Sequence, residues 1–385
     1  MALSAGTRRT VACLLVGLGA LLIVVALMIP TYTVDKLAKT PLDLEITTIA
    51  NSVPGEESLV LDSRSLTSPE GSARVDTDVP LISQRFLTVE EPSNATEMTV
   101  QAGQTLRRID RQGDTGLLTA SVDRVTIDRK TGEPVATEPN GSIAVNVDPQ
   151  TMESIADPVQ HVGLQYRFPI GTEKKSYPYF DLNARSTNDI DFIEETEVNN
   201  TKVYLFRQTV PVTNLWDVVQ APTNRLSLPA NKWGLEGEEP VTMYRFYTNV
   251  REVWVEPQTG TVIKGGEHLH IFYGRSAEQQ DVTALKSHLV FDEATIESQI
   301  AVAKDNIDRL SLFGRVLPII LGVLGAILAI IGVLIGVRGG GATTPATPAR
   351  GGNFPPSGGA APPRSPAPRG ADDAPTEQIK VQKNL

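Results

Sequence analysis

The stretch Val316-Leu-Pro-Ile-Ile-Leu-Gly-Val-Leu-Gly-Ala-Ile-Leu-Ala-Ile-Ile-Gly-Val-Leu-Ile-Gly-Val337 lies between two arginines and contains no charged residue. A second uncharged apolar stretch, Val11 to Ile29, follows two arginines near the N-terminus. Each is long enough to cross a hydrocarbon core of about 30 Å as an α-helix, which rises about 1.5 Å per residue. The sequence therefore predicts two transmembrane helices, 11–30 and 316–337, which anchor the intervening residues to one membrane.

The flanking charges predict the orientation of both helices. Lys and Arg beside a span stay on the cytoplasmic side, so Arg8 and Arg9 place the segment 1–10 in the cytoplasm. Two spans then return the C-terminus to the same side; Arg338 agrees with this orientation, whereas Arg315 opposes it. We therefore expect a two-pass plasma-membrane protein with both termini cytoplasmic and its main domain extracytoplasmic.

A cleaved signal peptide is the alternative interpretation of the first stretch. Its apolar run is longer than that of a usual signal peptide, and no small-residue cleavage pattern follows it at Pro30, Thr31 and Tyr32. The only cysteine, Cys13, comes early in the run, whereas a lipidated cysteine would follow it. We therefore interpret the stretch as a retained anchor.

The composition of the outer region, residues 31–315, restricts its origin and its partners. It has no cysteine, and it has 27 Lys and Arg against 42 Asp and Glu, a net charge of −15. Large domains matured in a eukaryotic secretory pathway usually carry disulfides, so their absence favours a bacterium. The acidic balance argues against nucleic acid as a partner.

The outer domain, residues 31–291, has the alternating apolar pattern of β-strands separated by turn residues. The clearest hairpin has Arg251–Glu256 and Thr261–Ile263 as strands and Pro257–Gly260 as the turn. Further predicted strands are Ser121–Asp128 with a turn at 130–132 and a return at 134–136, Val203–Val210, and Met243–Thr248. We predict an α+β membrane protein in which two terminal transmembrane helices hold a large β-rich extracytoplasmic domain.

A juxtamembrane helix is predicted at 292–315, with Asp292 or Thr295 as its N-cap and bends at Gly314 or Pro318. Its apolar residues form one seam, which packs either on the parent domain or on another copy in a homo-oligomer. The seam residues are Ile296, Ile300, Ala303, Ile307 and Leu310.

Small residues in the second span predict close helix packing, because Gly332 and Gly336 are separated by one helical turn. The partner is either the first span, which contains Gly17 and Gly19, or another copy. The tail after the span, 338–385, is rich in Gly, Pro and Ala, so we expect it to be a disordered cytoplasmic segment.

No catalytic motif is evident, and we predict neither catalytic residues nor a cofactor. His268 and His270 lie on one side of a predicted strand, but a zinc site needs a third ligand, and we assign no metal site. Glycoside hydrolysis needs two carboxylates about 5–9.5 Å apart, which sequence proximity alone does not establish in a domain this acidic.

The densest mixed cluster is Tyr166-Arg-Phe-Pro-Ile-Gly-Thr-Glu-Lys-Lys-Ser-Tyr-Pro-Tyr-Phe-Asp181, in which aromatic and cationic residues precede an acid. One interpretation is that these residues bind a sugar or a lipid head group. The other is that the aromatic rings form a corner of the core while the lysines stay in water. The candidate ligand or structural residues are Tyr166, Arg167, Lys174, Lys175, Tyr177, Tyr179 and Asp181, together with Trp254 and Glu256 of the clearest hairpin.

This cluster, the segment Trp254-Val-Glu-Pro-Gln-Thr-Gly260 and the two terminal spans resemble the PorA-like family of mycolic-acid-bearing actinobacteria, over residues 1 to about 340. The resemblance implies a protein of the cell envelope, because members are labelled porins and have been linked to maturation of lipomannan and synthesis of lipoarabinomannan. It implies no catalytic residues. A pore through a bacterial outer envelope layer is usually a closed β-barrel. The two spans here are helices, and neither has the polar stripe that would line a water-filled pore.

The architecture is also similar to that of the CD36 scavenger-receptor family, whose outer domain has a lipid-conducting tunnel. We therefore expect a non-enzymatic envelope protein that binds, presents or scaffolds a lipid or a lipid-linked glycan, with envelope glycosyltransferases as partners. The alternatives are a pore-forming protein and a glycan-processing enzyme. A lipid carrier should have a cavity near the two places where the chain meets the membrane, Tyr32 and Leu312.

Overall fold

The computed structural model describes residues 4–33, 36, 38–147 and 154–338. The predicted disordered tail therefore lies outside the described residues, except for Arg338, which is the last residue of a helix. Two helical segments, Gly6–Tyr32 and Glu293–Arg338, are long and apolar enough to cross a membrane. Apolar side chains such as Leu27 and Val337 are exposed on them, as expected for helices that contact lipid. The α-helices are α1 (Ala5–Met28), α2 (Ser63–Thr67), α3 (Leu215–Val218), α4 (Glu293–Ser311) and α5 (Leu317–Arg338).

The segment between α1 and α4 is dominated by one antiparallel sheet. Within the described residues it has fifteen strands, and twelve of them follow the order β8-β7-β6-β5-β4-β1-β15-β14-β13-β11-β10-β9. The strands are β1 (Glu45–Ser52), β2 (Leu59–Asp62), β3 (Arg74–Asp76), β4 (Leu81–Glu90), β5 (Glu97–Arg108), β6 (Leu117–Asp128), β7 (Gly141–Val147), β8 (Ser154–Val159), β9 (Tyr177–Asp181), β10 (Ser186–Val198), β11 (Thr201–Asn214), β12 (Arg225–Pro229), β13 (Pro240–Glu256), β14 (Thr261–Gly274) and β15 (Val282–Phe291).

The sheet curls until its two edges meet. The chain that leaves β8 runs beside β9 at the opposite edge, where Leu164 exchanges two backbone hydrogen bonds of 2.8 Å with Pro178 and Phe180. Arg185 and Asp157 form an ion pair of 2.9 Å across the same seam. This closure covers strand edges that would otherwise expose unpaired backbone groups, and it surrounds an interior.

Helix α4 packs against the sheet before the chain continues into α5. The Asp292 side chain caps it by accepting a 2.8 Å hydrogen bond from the Thr295 amide, so the first of the two predicted caps is the one used. Ile296, Ile300 and Ala303 of the predicted seam are buried in one cluster with residues of β11 and β14. The seam therefore packs on the parent domain, and a π-helical turn, Leu312–Val316, joins α4 to α5.

The two membrane helices pack against each other through small residues. Helix α5 approaches α1 at Gly332, where an added Cβ would lie 2.9 Å from the Ala12 oxygen. Gly336 approaches less closely, with Ala12 Cβ at 3.6 Å, and Gly17 has no neighbour within 4 Å of such a position. The partner of the second span is therefore the first span of the same chain.

The structure confirms the predicted strands at 121–128, 203–210, 243–248, 251–256 and 261–263. The predicted return at 134–136 is confirmed only in part, because Val135 N donates to the Thr126 carbonyl at 3.0 Å but no regular strand forms there. Pro134 makes only an isolated bridge to Ile127, and the strand that returns beside β6 begins at Gly141. Pro134 lacks an N–H and is followed by a second proline, Pro139, so regular pairing resumes only beyond them.

Candidate functional site

The curled sheet and α4 enclose a cavity of about 400 Å³. Its lining includes Lys36, which follows the first span, and Leu310, which precedes the second span. The cavity therefore lies near the ends of both candidate spans, where the sequence predicted it. Its volume is within the range typical of small-molecule sites.

Alternate residues of several strands point into the cavity, and most of these residues are apolar. On β1 the inward residues are Ile46, Thr48 and Ala50, and Thr47 between them is exposed. Helix α4 closes the wall with Val302 and Leu310. The other apolar residues of the lining are Ala38, Pro41, Leu44, Leu87, Met98, Val100, Ile127, Ile170, Phe180, Leu182, Val253, Val262, Leu289 and Phe291.

A buried ion network fixes one polar side of the wall. Arg251 donates to Glu267 at 2.7 Å, to Asp181 at 2.9 Å and to Gln208 at 2.5 Å. Burial opposes ionisation of Glu267, but the guanidinium groups of Arg251 and Arg85 outweigh it and hold the pKa of Glu267 below its ordinary value. Because every charge in this group has an opposite neighbour, we assign the network to stabilising the curl of the sheet.

Arg85 forms a second polar side of the wall. It donates to Gln104 Oε1 at 3.2 and 2.9 Å and lies 5.9 Å from the centre of the Tyr166 ring. The Tyr166 hydroxyl donates to Asp123, which also contacts His161 Nε2 at 2.9 Å. Burial and the Asp123 carboxylate raise the pKa of Tyr166, so this hydroxyl acts as a donor and not as a base.

Three of the sequence-predicted site residues line the cavity, namely Tyr166, Arg167 and Tyr179. Asp181 lies behind the wall, where it accepts hydrogen bonds from Arg251 and from the Tyr247 hydroxyl at 3.0 Å.

The other predicted residues lie away from the cavity. Lys174 and Lys175 are exposed and form ion pairs of 2.7 Å with Glu195 and 2.6 Å with Glu173. Tyr177 is in the aromatic core, 5.6 Å from Phe168 between ring centres.

Trp254 and Glu256 serve the hairpin between β13 and β14. Trp254 packs beside the α4 cluster, with Lys264 Nζ 4.5 Å from its ring centre. The Glu256 carboxylate accepts backbone hydrogen bonds from Gln258 at 2.9 Å and Thr259 at 2.8 Å, which fixes the turn. The structure therefore gives both residues a structural environment.

Sequence reasoning missed several charged residues of the lining, including Lys36, Lys39, Arg85, Arg129 and Arg251. None of them belongs to a motif. They are scattered over a strand, a turn and a connection, and only the curl of the sheet brings them to one cavity.

Among the described residues, one group of three side chains has the spacing of metal ligands: Glu56, His268 and His288, with potential ligand atoms within 4.8 Å of one another. His268 faces His288 across the β14–β15 pair. His270, the partner considered from the sequence, is outside this group and lies beside Phe272.

Comparison with known proteins identifies the family. The family profile described as porin PorA matches residues 11–334. A porin PorA of Corynebacterium amycolatum is 34% identical over 86% of this chain and 98% of its own length. A porin PorA of Corynebacterium resistens is 31% identical over 86% of this chain and 97% of its own length. The chain belongs to the porin PorA family.

Proposed function

We propose that this protein is a non-enzymatic envelope factor that binds a lipid or a lipid-linked glycan in the cavity of its outer domain. The single observation that supports this most strongly is the position of the cavity, whose lining runs from Lys36 beside the first span to Leu310 beside the second. An amphiphile that leaves the bilayer there would keep its apolar chain out of water. Exposure of that chain to water is the main free-energy cost of moving a lipid.

In this proposal the chain crosses the plasma membrane twice, with both termini in the cytoplasm and the sheet outside. Anchoring at both ends keeps the cavity at the outer membrane surface. The bound molecule is then presented to envelope glycosyltransferases, and maturation of lipomannan or lipoarabinomannan is the process we propose for it.

The test is extraction of lipid by the purified full-length protein. The protein is isolated in a neutral detergent, washed, and its bound lipids are identified by mass spectrometry. Thr48→Trp places an indole in the cavity wall and should reduce the bound lipid several-fold. Thr47→Trp is the matched control, because the adjacent side chain is exposed on the other face of β1.

Two results would count against the proposal. One is wild-type protein that carries no lipid after mild extraction, and the other is equal lipid content in both tryptophan variants. Circular dichroism of each variant shows whether the sheet is intact, so loss of lipid through misfolding is recognised.

Pore formation is the second candidate, and it is favoured by the name porin that the relatives carry. The described spans argue against it, because α1 and α5 pack directly through glycines and contain no polar stripe for water. We expect no stable conductance in planar bilayers. Reproducible single-channel steps from purified protein would favour the pore.

A further inference from the structure

Four cations gather at one part of the cavity lining, near the end of the first span. They are Lys36 and Lys39 of the connection after α1, Arg129 of the turn after β6, and Arg167 of the loop before β9. The outer region as a whole has a net charge of −15, so this concentration of positive charge runs against the average composition. We call these four residues the cationic rim.

The rim residues donate to neutral oxygen atoms. Lys39 Nζ donates to the Ala95 carbonyl at 2.9 Å. Arg129 Nε donates to the Thr40 carbonyl and Arg129 Nη1 to the Asn94 carbonyl, both at 2.9 Å. These contacts hold the side chains at the lining without neutralising their charge.

Arg167 and Lys36 also donate hydrogen bonds to neutral oxygen atoms. Arg167 donates to the carbonyls of Phe168 at 3.2 Å and Thr259 at 3.0 Å, and Lys36 donates to the Tyr32 hydroxyl at 2.7 Å. Burial lowers the pKa of Arg167 to about 10, which leaves it a cation at neutral pH.

Among the carboxylates in the described part of the chain, none lies within ion-pair distance, 4.0 Å, of a rim residue. Asp128 is electrostatically coupled to two rim residues, because Lys39 contributes to lowering the pKa of Asp128, and Asp128 opposes the effect of burial on the pKa of Arg167. Its carboxylate accepts hydrogen bonds from the backbone amides of Lys130 at 2.8 Å and Thr131 at 2.7 Å. One carboxylate does not balance four cations, three of which, Lys39, Arg129 and Arg167, are partly buried. An excess of one sign of charge at a cavity attracts ligands of the opposite sign.

We propose that the cationic rim binds the phosphate of an anionic lipid whose hydrocarbon chain lies along the apolar wall. This inference rests on the proposed function and narrows it to one class of ligand, a phosphate-headed amphiphile. Arginine matches phosphate because its planar group donates two parallel hydrogen bonds, and lysine adds a mobile point charge. The rim lies beside the membrane, where such head groups are located, and the apolar lining continues from it.

The experiment compares three probes on the full-length protein in neutral detergent: dioleoyl phosphatidic acid, dioleoylglycerol and inorganic phosphate. The first two share their chains and differ in the phosphate. We expect phosphatidic acid to bind at least tenfold more tightly than dioleoylglycerol, and inorganic phosphate to bind much more weakly than either. The preference should shrink as salt rises, because ionic attraction is screened.

Lys36→Gln with Lys39→Gln should weaken phosphatidic acid binding about tenfold and leave dioleoylglycerol unchanged. The matched control is Lys174→Gln with Lys202→Gln, which removes two exposed lysines that pair with Glu195 outside the lining. Arg129→Gln provides a third test of the rim, with circular dichroism to show that the variant folds.

Each contrary result separates this inference from the proposed function. Equal affinity for phosphatidic acid and dioleoylglycerol would overturn the rim and leave lipid binding in place. Inorganic phosphate bound as tightly as phosphatidic acid would mean a site for free anions and would also overturn it. If neither lipid binds and the purified wild type also carries no lipid after mild extraction, the proposed function itself fails.

Discussion

The backbone oxygen of Gly325 lies 2.6 Å from the position that a Cβ on Gly19 would occupy. The backbones of α1 and α5 therefore touch at this crossing, which only glycine permits. Lipid chains are as apolar as leucine, so close packing of this kind is a main source of attraction between helices in a bilayer. Contact between the spans therefore fixes the distance between the C-terminal end of α1 and the N-terminal end of α5, the two helix ends nearest the cavity.

Gly19→Leu should separate the two spans, whereas Gly17→Leu should not, because Gly17 has no neighbour within 4 Å of its Cβ position. Overpacking of this kind costs about 1–3 kcal/mol. A cysteine pair at Ala26 and Gly322 reports the contact, since a Cβ on Gly322 would lie 3.8 Å from Ala26 Cβ, which suits a disulfide.

The measurement is disulfide formation between those two cysteines after mild oxidation, in a background in which Cys13 is replaced by serine. Cross-linking should be retained with Gly17→Leu and strongly reduced with Gly19→Leu. Equal cross-linking in the two leucine variants would show that the Gly19 contact does not hold the spans together.

The proposed orientation predicts the outcome of reporter fusions. A reporter after residue 200, in the turn between β10 and β11, should be active outside the membrane, and one after residue 345 should be active inside. A phosphatase that works only outside and a fluorescent protein that folds only inside give opposite signals. An inside signal at residue 200 would reverse both spans and remove the route by which a lipid enters from the outer leaflet.

The sequence predicted the spans and the β13–β14 hairpin because both depend on local pattern. It did not predict which face of each strand lines the cavity. On β4, Arg85 points into the cavity while the neighbouring Phe86 is 46% exposed, which inverts the usual apolar-inside rule. Alternation defines two faces of a strand, but the curl of the whole sheet decides which face becomes the interior.

The candidate site shows the same limit. Tyr166 and Arg167 were found because they stand in a dense cluster, whereas Arg129 lies in the turn after β6 and Lys39 in the connection before β1, outside any such cluster. Their meeting depends on contacts between distant segments, such as the hydrogen bond from the Thr40 amide to the Arg129 carbonyl at 2.9 Å. Local periodicity in a sequence does not predict which residues that are far apart in the chain will be in contact.

The stacked histidines of β14 and β15 predict a response to acid. The rings of His268 and His288 are 3.7 Å apart between centres, and His288 Nδ1 lies 2.9 Å from a Glu56 oxygen. Burial and the neighbouring His288 lower the pKa of His268 below its ordinary value of 6.5. A depressed folded pKa means that the contribution of neutral His268 to stability is fully present above pH 6.5 and is lost as pH falls further.

We therefore expect the melting temperature of the wild type to decline as pH falls from 7 towards 5, and His268→Gln to reduce that decline. The effect should be at most about 1 kcal/mol, because the pair is partly exposed to solvent. Thermal unfolding followed by circular dichroism across this range measures it. A variant whose pH dependence equals that of the wild type would exclude the histidine pair as the cause.

Protonation of Glu267 should cause a second loss of stability, at lower pH. Arg251 Nε lies 2.7 Å from its carboxylate, and the two guanidinium groups near it overcome the effect of burial and hold the pKa of Glu267 below 4.5. A carboxylate whose folded pKa is depressed stabilises the fold above its unfolded pKa. That contribution is lost as pH falls through the folded value, so the relevant window begins near pH 4.5 and extends below it.

Glu267→Gln removes the charge but keeps the shape, so the variant should be less stable than the wild type at pH 7 by about 1–3 kcal/mol. The two proteins should converge as acid protonates Glu267 in the wild type. Glu194→Gln is the control, because Glu194 is an exposed carboxylate of β10 and its removal should leave the melting curve nearly unchanged at both ends. If the gap between Glu267→Gln and the wild type stays constant from pH 7 to pH 3, ionisation of Glu267 is not what stabilises this side of the cavity wall, and the loss comes from the altered hydrogen bond to Arg251.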